Sequence, residues 1–353
     1  MTERDGDDPG TAGKTGVPKD ADPVPAGGGP KPGKESPSAE ELRRRKDDER
    51  RRLADKGVKP VFGRGGPQAP FRREVDQEPK QRSEEVREAI RDELEAERKE
   101  AGGKNKPSRG KDIIRCENVF LKFDEPILED ISMVARDGET IVIVGESGTG
   151  KSTMLKLILR LLIPDAGKVL IDERDISHLS FDEALEVRQR MGMVFQGAAL
   201  FDSMTVFENV AYPLREHTEL TEDEIEARVK EKLEFVDLDP ERVMEQLPAE
   251  LSGGMKKRVG IARGMANNAE IMLYDEPTSG LDPLTTGTIT RLIMKLQREL
   301  GVTSIVVSHD IRSAFRMATK IALLAERHIV FFGTPEDMAA SEDKYIRDFL
   351  GGS

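Results

Sequence analysis

The feature that most constrains the fold is a nearly continuous apolar run, residues 140–144, followed at once by a glycine-rich segment and an apolar helical pattern. Such a run is typical of a strand that is buried on both faces, as in a parallel sheet. Similar runs recur at residues 271–274, 304–307 and 321–324, set among helical patterns such as residues 284–299. Strands that alternate with helices predict a layered α/β fold with a parallel sheet.

We expect the ordered part of the chain to begin near Asp112. Residues 113–120 roughly alternate apolar and polar side chains, and residues 131–134 form a second short apolar run before the turn at Asp137 and Gly138. Alternation of this kind predicts half-buried strands. The sequence therefore predicts two such strands ahead of the fully buried strand 140–144.

The glycine-rich segment that follows the buried strand runs from Gly145 to Ser152 and has the spacing G-x-x-x-x-G-K-S/T between a strand and a helix. In such a loop, backbone N–H groups surround phosphate oxygens and the helix N-terminus adds its positive dipole. Lys151 is expected to reach the β- and γ-phosphates, and the Ser152 hydroxyl to bind Mg²⁺. This segment predicts binding of a nucleoside triphosphate.

A second site element is the acidic pair that ends the apolar run 271–274, Asp275 and Glu276. At the carboxyl edge of a parallel sheet, we expect Asp275 to hold Mg²⁺ through its hydration shell and Glu276 to polarise an attacking water. Taken alone, the pair is equally consistent with two solvated acids in a turn. The phosphate-binding loop favours the catalytic interpretation.

The third element is the run Leu-Ser-Gly-Gly-Met at residues 251–255, which begins another helix. Its Ser252 lies 23 positions before Asp275. Ser-Gly-Gly at a helix start is a second anion-binding site. One chain does not need two such sites for one nucleotide.

This run resembles the signature of the ATP-binding cassette (ABC) family, in which two subunits enclose two ATP molecules head to tail. Other motifs of the family follow in order. Gln196 resembles the glutamine of the Q-loop, residues 279–282 the D-loop, and His309 the switch histidine that contacts the γ-phosphate. Phe123 resembles the aromatic residue that stacks on adenine. The alternatives are a neutral, hydrogen-bonded histidine for His309 and core packing for Phe123.

The resemblance covers residues 112–351 and departs from the family at Met255, where glutamine is usual. Met cannot supply amide hydrogen bonds, but Ser252 and the glycine N–H groups can, so we expect closure on ATP to survive. The resemblance implies a P-loop NTPase fold with a RecA-like parallel sheet, an antiparallel β subdomain and a helical subdomain at about residues 198–265 within an ABC ATPase domain at residues 111–351.

The resemblance also implies the site residues. It assigns catalytic roles to Glu276, His309, Lys151 and Gln196, and Mg²⁺ binding to Ser152, Gln196 and Asp275. The implied ATP contacts are Phe123, Gly145, Glu146, Ser147, Gly148, Thr149, Gly150, Lys151, Ser152, Thr153, Ser252, Gly253, Gly254 and Asp282.

Within the family, residues 195–217 resemble the ATPase of Mla-type transporters, which serve MCE-domain systems that move phospholipids or other hydrophobic molecules through the bacterial envelope. The implied partners are a second copy of the chain, an integral-membrane permease of Mla/MCE type and an MCE-domain protein. The implied location is the cytoplasmic face of the inner membrane, peripheral through the permease. Residues 198–201 are a candidate docking surface, with core packing as the alternative.

Two other functions stay open at this point. One is the ATPase of another ABC importer, for polar solutes such as amino acids, although residues 213–217 favour the Mla type. The other is an ABC ATPase without a transport role, which would usually have tandem cassettes or long coiled-coil insertions.

Composition excludes several classes. The single cysteine, Cys116, allows no intramolecular disulfide and fits a reducing compartment. No apolar run approaches the roughly 18 residues that span a bilayer, and the acidic N-terminus does not resemble a signal or transit peptide. The net charge of −12 and the absence of a basic, aromatic-rich face argue against nucleic acid as a partner.

Residues 1–110 differ from the rest. They hold 12 of the 20 prolines and 15 of the 32 glycines, and their 26 basic and 24 acidic side chains nearly balance. Their sparse apolar residues cannot offset the entropy of ordering the backbone, so we expect a disordered, charged arm. An alternative is electrostatic docking of the basic run 43–46 on a partner or on anionic lipid, although acidic residues 47–49 follow it directly.

Overall fold

The computed structural model describes residues 110–351. The predicted arm, residues 1–110, lies outside the described residues except for Gly110. Within the described part, a small antiparallel sheet and a six-stranded sheet are both covered by helices. This arrangement confirms the predicted α/β fold with a parallel sheet.

The smaller sheet contains four antiparallel strands in the order β2-β1-β4-β5. They are β1 Asp112–Lys122, β2 Pro126–Arg136, β4 Ala166–Ile171 and β5 Arg174–Asp175. Both predicted strands of this region are present and longer than predicted. Alternate side chains such as Ile114 and Cys116 are buried, as period-two alternation requires.

The larger sheet has the strand order β10-β9-β3-β8-β7-β6. Every neighbouring pair is parallel except β9 with β10. The strands are β3 Thr140–Val144, β6 Met191–Val194, β7 Ile271–Asp275, β8 Thr303–Ser308, β9 Lys320–Ala325 and β10 His328–Gly333. The four predicted buried strands are therefore central, and the loops that leave their carboxyl ends share one edge.

Alternate residues of β3 divide between two apolar cores. Val142 and Val144 face one core, which also contains the helices between β6 and β7. Ile141 and Ile143 face the other, which contains the first helix and the antiparallel sheet. Burial on both faces explains why this strand is a continuous apolar run.

Most of the helices that lie outside the connection between β6 and β7 flank the parallel strands. They are α1 Lys151–Ile158, α2 Phe181–Gln189, α7 Pro283–Lys295, α8 Ile311–Met317, α9 Pro335–Ala339 and α10 Lys344–Gly351. The predicted helix 284–299 is α7 followed by a π-helical turn, Leu296–Leu300. No helix among residues 110–351 is long and apolar enough to cross a bilayer.

A group of helices connects β6 to β7. It contains α3 Val206–His217, α4 Glu222–Phe235, α5 Pro240–Val243 and α6 Gly253–Gly264. Capping boxes at Thr205 and Thr221 start the first two helices, because each threonine accepts a backbone N–H and each third-position glutamate bonds back. The boundaries 198–265 of a helical subdomain stay a prediction.

Candidate active site

The segment between β3 and α1 is a tight loop at the carboxyl edge of the parallel sheet. A Cβ built at Gly145 would lie 2.2 Å from the Leu324 carbonyl oxygen, so no side chain fits there. Gly150 is the N-cap of α1 at φ +97° and supplies no side-chain cap. The first N–H groups of α1 are therefore left to an anionic ligand rather than to a capping side chain.

Lys151 folds back across this loop. Its Nζ donates to the carbonyl oxygens of Gly145 at 2.9 Å and Glu146 at 2.7 Å, and the residue is 7% exposed. Burial lowers the pKa of Lys151, while the negative charges of Glu276 and Asp275 oppose that shift. The ammonium group is thus already held at the phosphate-binding loop, facing two carboxylates.

Ser152 and Asp275 meet although 123 positions separate them in the chain. The Ser152 hydroxyl donates to Asp275 Oδ1 at 2.8 Å. Hydroxyl and carboxylate oxygens are the hard donors that Mg²⁺ prefers. No cluster of three His, Cys, Asp or Glu side chains within residues 110–351 could hold a metal alone. The hydroxyl and carboxylate of this pair fit Mg²⁺, which usually takes one or two protein ligands together with phosphate and water oxygens.

Glu276 and His309 form the second contact of the site. Glu276 Oε2 lies 2.6 Å from His309 Nδ1 and accepts the His309 backbone N–H at 3.3 Å. Glu276 has φ +50°, a region that non-glycine residues seldom adopt, and its own N–H donates to Val307 O at 2.9 Å. The end of β8 thus fixes both the backbone and the carboxylate of Glu276.

Gln196 and Phe123 lie in loops that border this centre. Gln196 follows β6, and its Nε2 donates to Ser279 Oγ at 3.4 Å. Phe123 lies in the turn between β1 and β2 and is 60% exposed, so it does not pack in either core.

Ser252 and Asp282 each begin a helix. Ser252 Oγ accepts the Met255 N–H at 3.3 Å at the start of α6. Asp282 caps α7 by accepting the N–H groups of Leu284 and Thr285 at 3.0 and 3.1 Å. Both side chains thus lie at exposed N-termini on neighbouring helices, and a Cβ built at Gly253 would lie 3.6 Å from Leu281 Cδ2.

Residues 128–279 match the family model described as ABC transporter. The chain is 41% identical to the Haemophilus influenzae intermembrane phospholipid transport system ATP-binding protein MlaF, over 68% of this chain and 90% of that protein. The Escherichia coli MlaF is also 41% identical, over 66% and 86% of the two chains. This chain belongs to the ABC transporter ATPases.

Two further comparisons bear on assembly and function. The dimeric structure of MJ0796, a bacterial ABC transporter cassette, is 36% identical, with a TM-score of 0.59 over 63% of this chain and 99% of that one. The probable ribonucleotide transport ATP-binding protein mkl of Mycobacterium leprae is 41% identical, over 64% of this chain and 65% of its own length. As an ABC ATPase, this chain binds and hydrolyses ATP as part of a membrane transporter.

Reasoning from sequence missed one residue of this ABC ATPase site, Lys257. It is 5% exposed, and its Nζ donates to the carbonyl oxygens of Gln196 and, at 3.3 Å, of Glu276. Burial lowers the pKa of Lys257, against the opposing charges of Glu276 and Asp275. The signal available in the sequence is that this lysine lies two positions before the run Val259–Ala262, whose residues are all buried. Lys257 lies on the same buried side of α6.

Proposed function

We propose that this ABC ATPase energises phospholipid transport across the bacterial envelope. The observation that supports the cargo is the 41% identity to H. influenzae MlaF over 90% of that protein. The arrangement of Lys151, Ser152, Asp275, Glu276 and His309 at one sheet edge supports the hydrolytic role. The chain would work at the cytoplasmic face of the inner membrane, attached through an Mla/MCE-type permease.

In this proposal the N-terminus of α1 and the loop Gly145–Gly150 bind the ATP phosphates, and Lys151 turns its ammonium from the loop carbonyls toward the β- and γ-phosphates. Thr153 follows Ser152 in the first turn of α1 and belongs to the same contact set. Phe123 stacks on adenine from its exposed turn. Ser152, Asp275 and Gln196 would hold Mg²⁺, and the bound ion would supply positive charge to the phosphates.

Glu276 is the group that we assign to the attacking water. Glu276 Oε2 accepts the His309 backbone N–H and lies 2.6 Å from His309 Nδ1. In this assignment Nδ1 donates to Oε2. The second oxygen, Oε1, would then accept the proton of the attacking water, and His309 Nε2 would be left to contact the γ-phosphate.

The ATP site is completed by a second copy of the chain. Ser252, Gly253, Gly254 and Asp282 would contact the nucleotide that is held by the P-loop of the partner. Leu284, beside Asp282, is 85% exposed, which fits a surface that a partner covers. The dimeric MJ0796 structure supports this arrangement.

The segment after β6 is the proposed docking surface for the permease. Phe201 and Tyr212 are both partly exposed, and their rings lie 5.2 Å apart, so they form one aromatic surface next to Ala199 and Leu200. Ala198 is not part of that surface, because it is buried against α6. An aromatic surface at the end of a loop from the ATP site fits a membrane subunit that must sense nucleotide state.

We assign residues 111–351 to the ABC ATPase domain and residues 198–265 to its helical subdomain.

A second candidate cargo is a polar solute such as a ribonucleotide or an amino acid. The observation that favours it is the equal identity, 41%, to the M. leprae protein named for ribonucleotide transport. The chain covers 65% of that protein against 90% of H. influenzae MlaF, which favours the phospholipid assignment.

The decisive experiment is affinity purification of the full-length chain from detergent-solubilised membranes, followed by identification of permease, accessory proteins and bound lipid by mass spectrometry. We expect an integral-membrane permease with an MCE-domain protein and copurifying phospholipid. Lys151→Met serves as a control, because assembly should not require ATP binding. A periplasmic receptor for a polar solute in place of the MCE-domain protein would contradict the proposal.

A further inference from the structure

Lys257 is the only charged side chain of α6 that is almost wholly buried, at 5% exposure, within the described residues. A buried ammonium is costly unless fixed acceptors replace its water. Here the acceptors are two main-chain carbonyls from separate loops, those of Gln196 and Glu276. An apolar side chain would pack in this position at a lower free-energy cost. The two hydrogen bonds of Lys257 therefore indicate a role beyond packing.

The first acceptor belongs to a segment that α6 holds at several points. Arg263 donates to the carbonyl oxygens of Ala198 at 3.0 Å and Ala199 at 2.8 Å. Between them, a Cβ built at Gly260 would lie 3.3 Å from Ala198 Cβ, so the helix approaches the segment closely there. Lys257, Gly260 and Arg263 are spaced three apart and line one side of α6.

The segment itself is strained. Ala198 and Ala199 have φ +62° and +46°, which alanine seldom adopts. Such a conformation persists where the surroundings determine it, and the two carbonyls that Arg263 binds are those of these alanines. The segment 196–199 is therefore fixed to α6 rather than to the sheet.

The second acceptor belongs to the residue that we assign to water activation. The N–H of Glu276 is bound by Val307 O at 2.9 Å, and its carbonyl by the Ser279 N–H at 3.2 Å and by Lys257 Nζ at 3.3 Å. The peptide units on both sides of Glu276 are thus fixed, and Lys257 connects one of them directly to α6 and to segment 196–199.

We propose that Lys257 is a positioning residue for ATP hydrolysis: it connects the backbone of Glu276 to that of Gln196 and so places the water-activating carboxylate. The inference rests on the proposed role of Glu276. Lys257 is expected to affect the placement of the carboxylate and not nucleotide affinity, because the phosphate-binding loop lies between β3 and α1.

The test compares Lys257→Met and Lys257→Gln, which remove the charged donor, with Lys257→Arg, which keeps one. Lys256→Met, on the neighbouring position of the same helix, is the matched control. For each full-length variant, kcat and KM for ATP are measured together with Tm. Small displacements of catalytic groups cost about 10- to 100-fold in rate.

We expect Lys257→Met to lower kcat by about 10- to 100-fold with KM within about twofold of the parent value. Lys257→Arg should recover much of the loss, and Lys256→Met should match the parent. If Lys257→Met does not fold, Lys257→Gln is interpreted in the same way, because its shorter amide cannot span both carbonyls. A folded Lys257→Met or Lys257→Gln protein with unchanged kcat overturns the inference, as does a kcat loss that Lys257→Arg leaves unrelieved.

Glu276→Gln separates this inference from the proposed function. If Glu276→Gln abolishes turnover while Lys257→Met does not change it, the assignment of Glu276 stands and the inference about Lys257 is wrong. If Glu276→Gln leaves turnover unchanged, the assignment of Glu276 is wrong and the inference fails with it.

Discussion

Two helix N-termini in this molecule carry glycine-rich, anion-binding sequences, yet they are built differently. At the start of α1, Gly150 provides no side-chain cap, and Lys151, Ser152 and Asp275 converge within one chain. At the start of α6, Ser252 caps its own helix through the Met255 N–H. The first helix start brings a lysine, a hydroxyl and a carboxylate together, whereas the hydroxyl at the second already caps its own helix. This difference supports the proposal that α6 acts on a phosphate that another chain holds.

The glycines of the two segments also serve different physical purposes. Gly150 has φ +97°, which a residue with a side chain would adopt only under strain. Gly254 is helical, and a Cβ built there would lie 2.5 Å from Thr285 Cγ2 on α7. Glycine is required at the first site by backbone conformation and at the second by close helix packing. Substitutions should therefore affect the two sites in separable ways.

The largest effect that we predict comes from Glu276→Gln, which removes the proposed general base while leaving both helix N-termini intact. Loss of a general base lowers kcat by about 10²- to 10⁴-fold. ATP binding should persist, and the ATP-bound dimer should accumulate, as measured by size-exclusion chromatography with Mg²⁺ and ATP. An unchanged turnover number would remove Glu276 from the catalytic role.

Lys151→Met should break the α1 site alone. A charge-assisted hydrogen bond contributes about 1.5–3 kcal/mol, so ATP affinity should fall about 10- to 100-fold. Equilibrium binding of a fluorescent ATP analogue measures the change. Met255→Gln, which restores the usual signature residue on the other helix, is the control and should leave this affinity of the separate chain unaltered.

Gly253→Asp should break the α6 site alone. An acidic residue in the first turn of a helix favours folding, but it repels the phosphate of a partner. We expect ATP binding by the separate chain to persist while ATP-driven dimerisation and hydrolysis are lost. An equimolar mixture with Lys151→Met should regain activity that neither variant has, because one composite site per mixed dimer is intact. Absence of any recovery would argue against a site shared between two chains.

The sequence predicts the strands in the interior of the fold better than those at its margins. The strand Thr140–Val144 has the predicted bounds, and β7, β8 and β9 agree within one residue at each end, because strands buried on both faces must be continuously apolar. β10, an antiparallel edge strand whose residues are all partly exposed, was missed although its residues 329–332 are continuously apolar. The π-helical turn after α7 was missed because its Leu296 continues the apolar pattern of a regular helix.

The residues of the candidate site also differ in how far the sequence identifies them. Residues with a motif of their own, such as Lys151 and Glu276, could be named from the sequence, but their roles stay predictions. The contact of Glu276 with His309 depends on the parallel pairing of β7 with β8, which brings together the residues that follow Asp275 and Val307. Lys257 was missed because its partners are main-chain carbonyls, which the sequence does not identify, and its one signal is its position on the buried side of α6.

The smallest effects should distinguish the two signature glycines by stability alone. Gly254→Ala should lower the free energy of unfolding by about 1–3 kcal/mol, because the added methyl group meets Thr285. That side chain cannot rotate away freely, since its hydroxyl donates to Asp282 Oδ2 at 2.5 Å. Gly253→Ala should change the same quantity by less than about 1 kcal/mol, because the nearest atom is Leu281 Cδ2 at 3.6 Å. Urea unfolding of the two variants in parallel measures the difference, and equal losses would mean that α6 and α7 are not closely packed at Gly254.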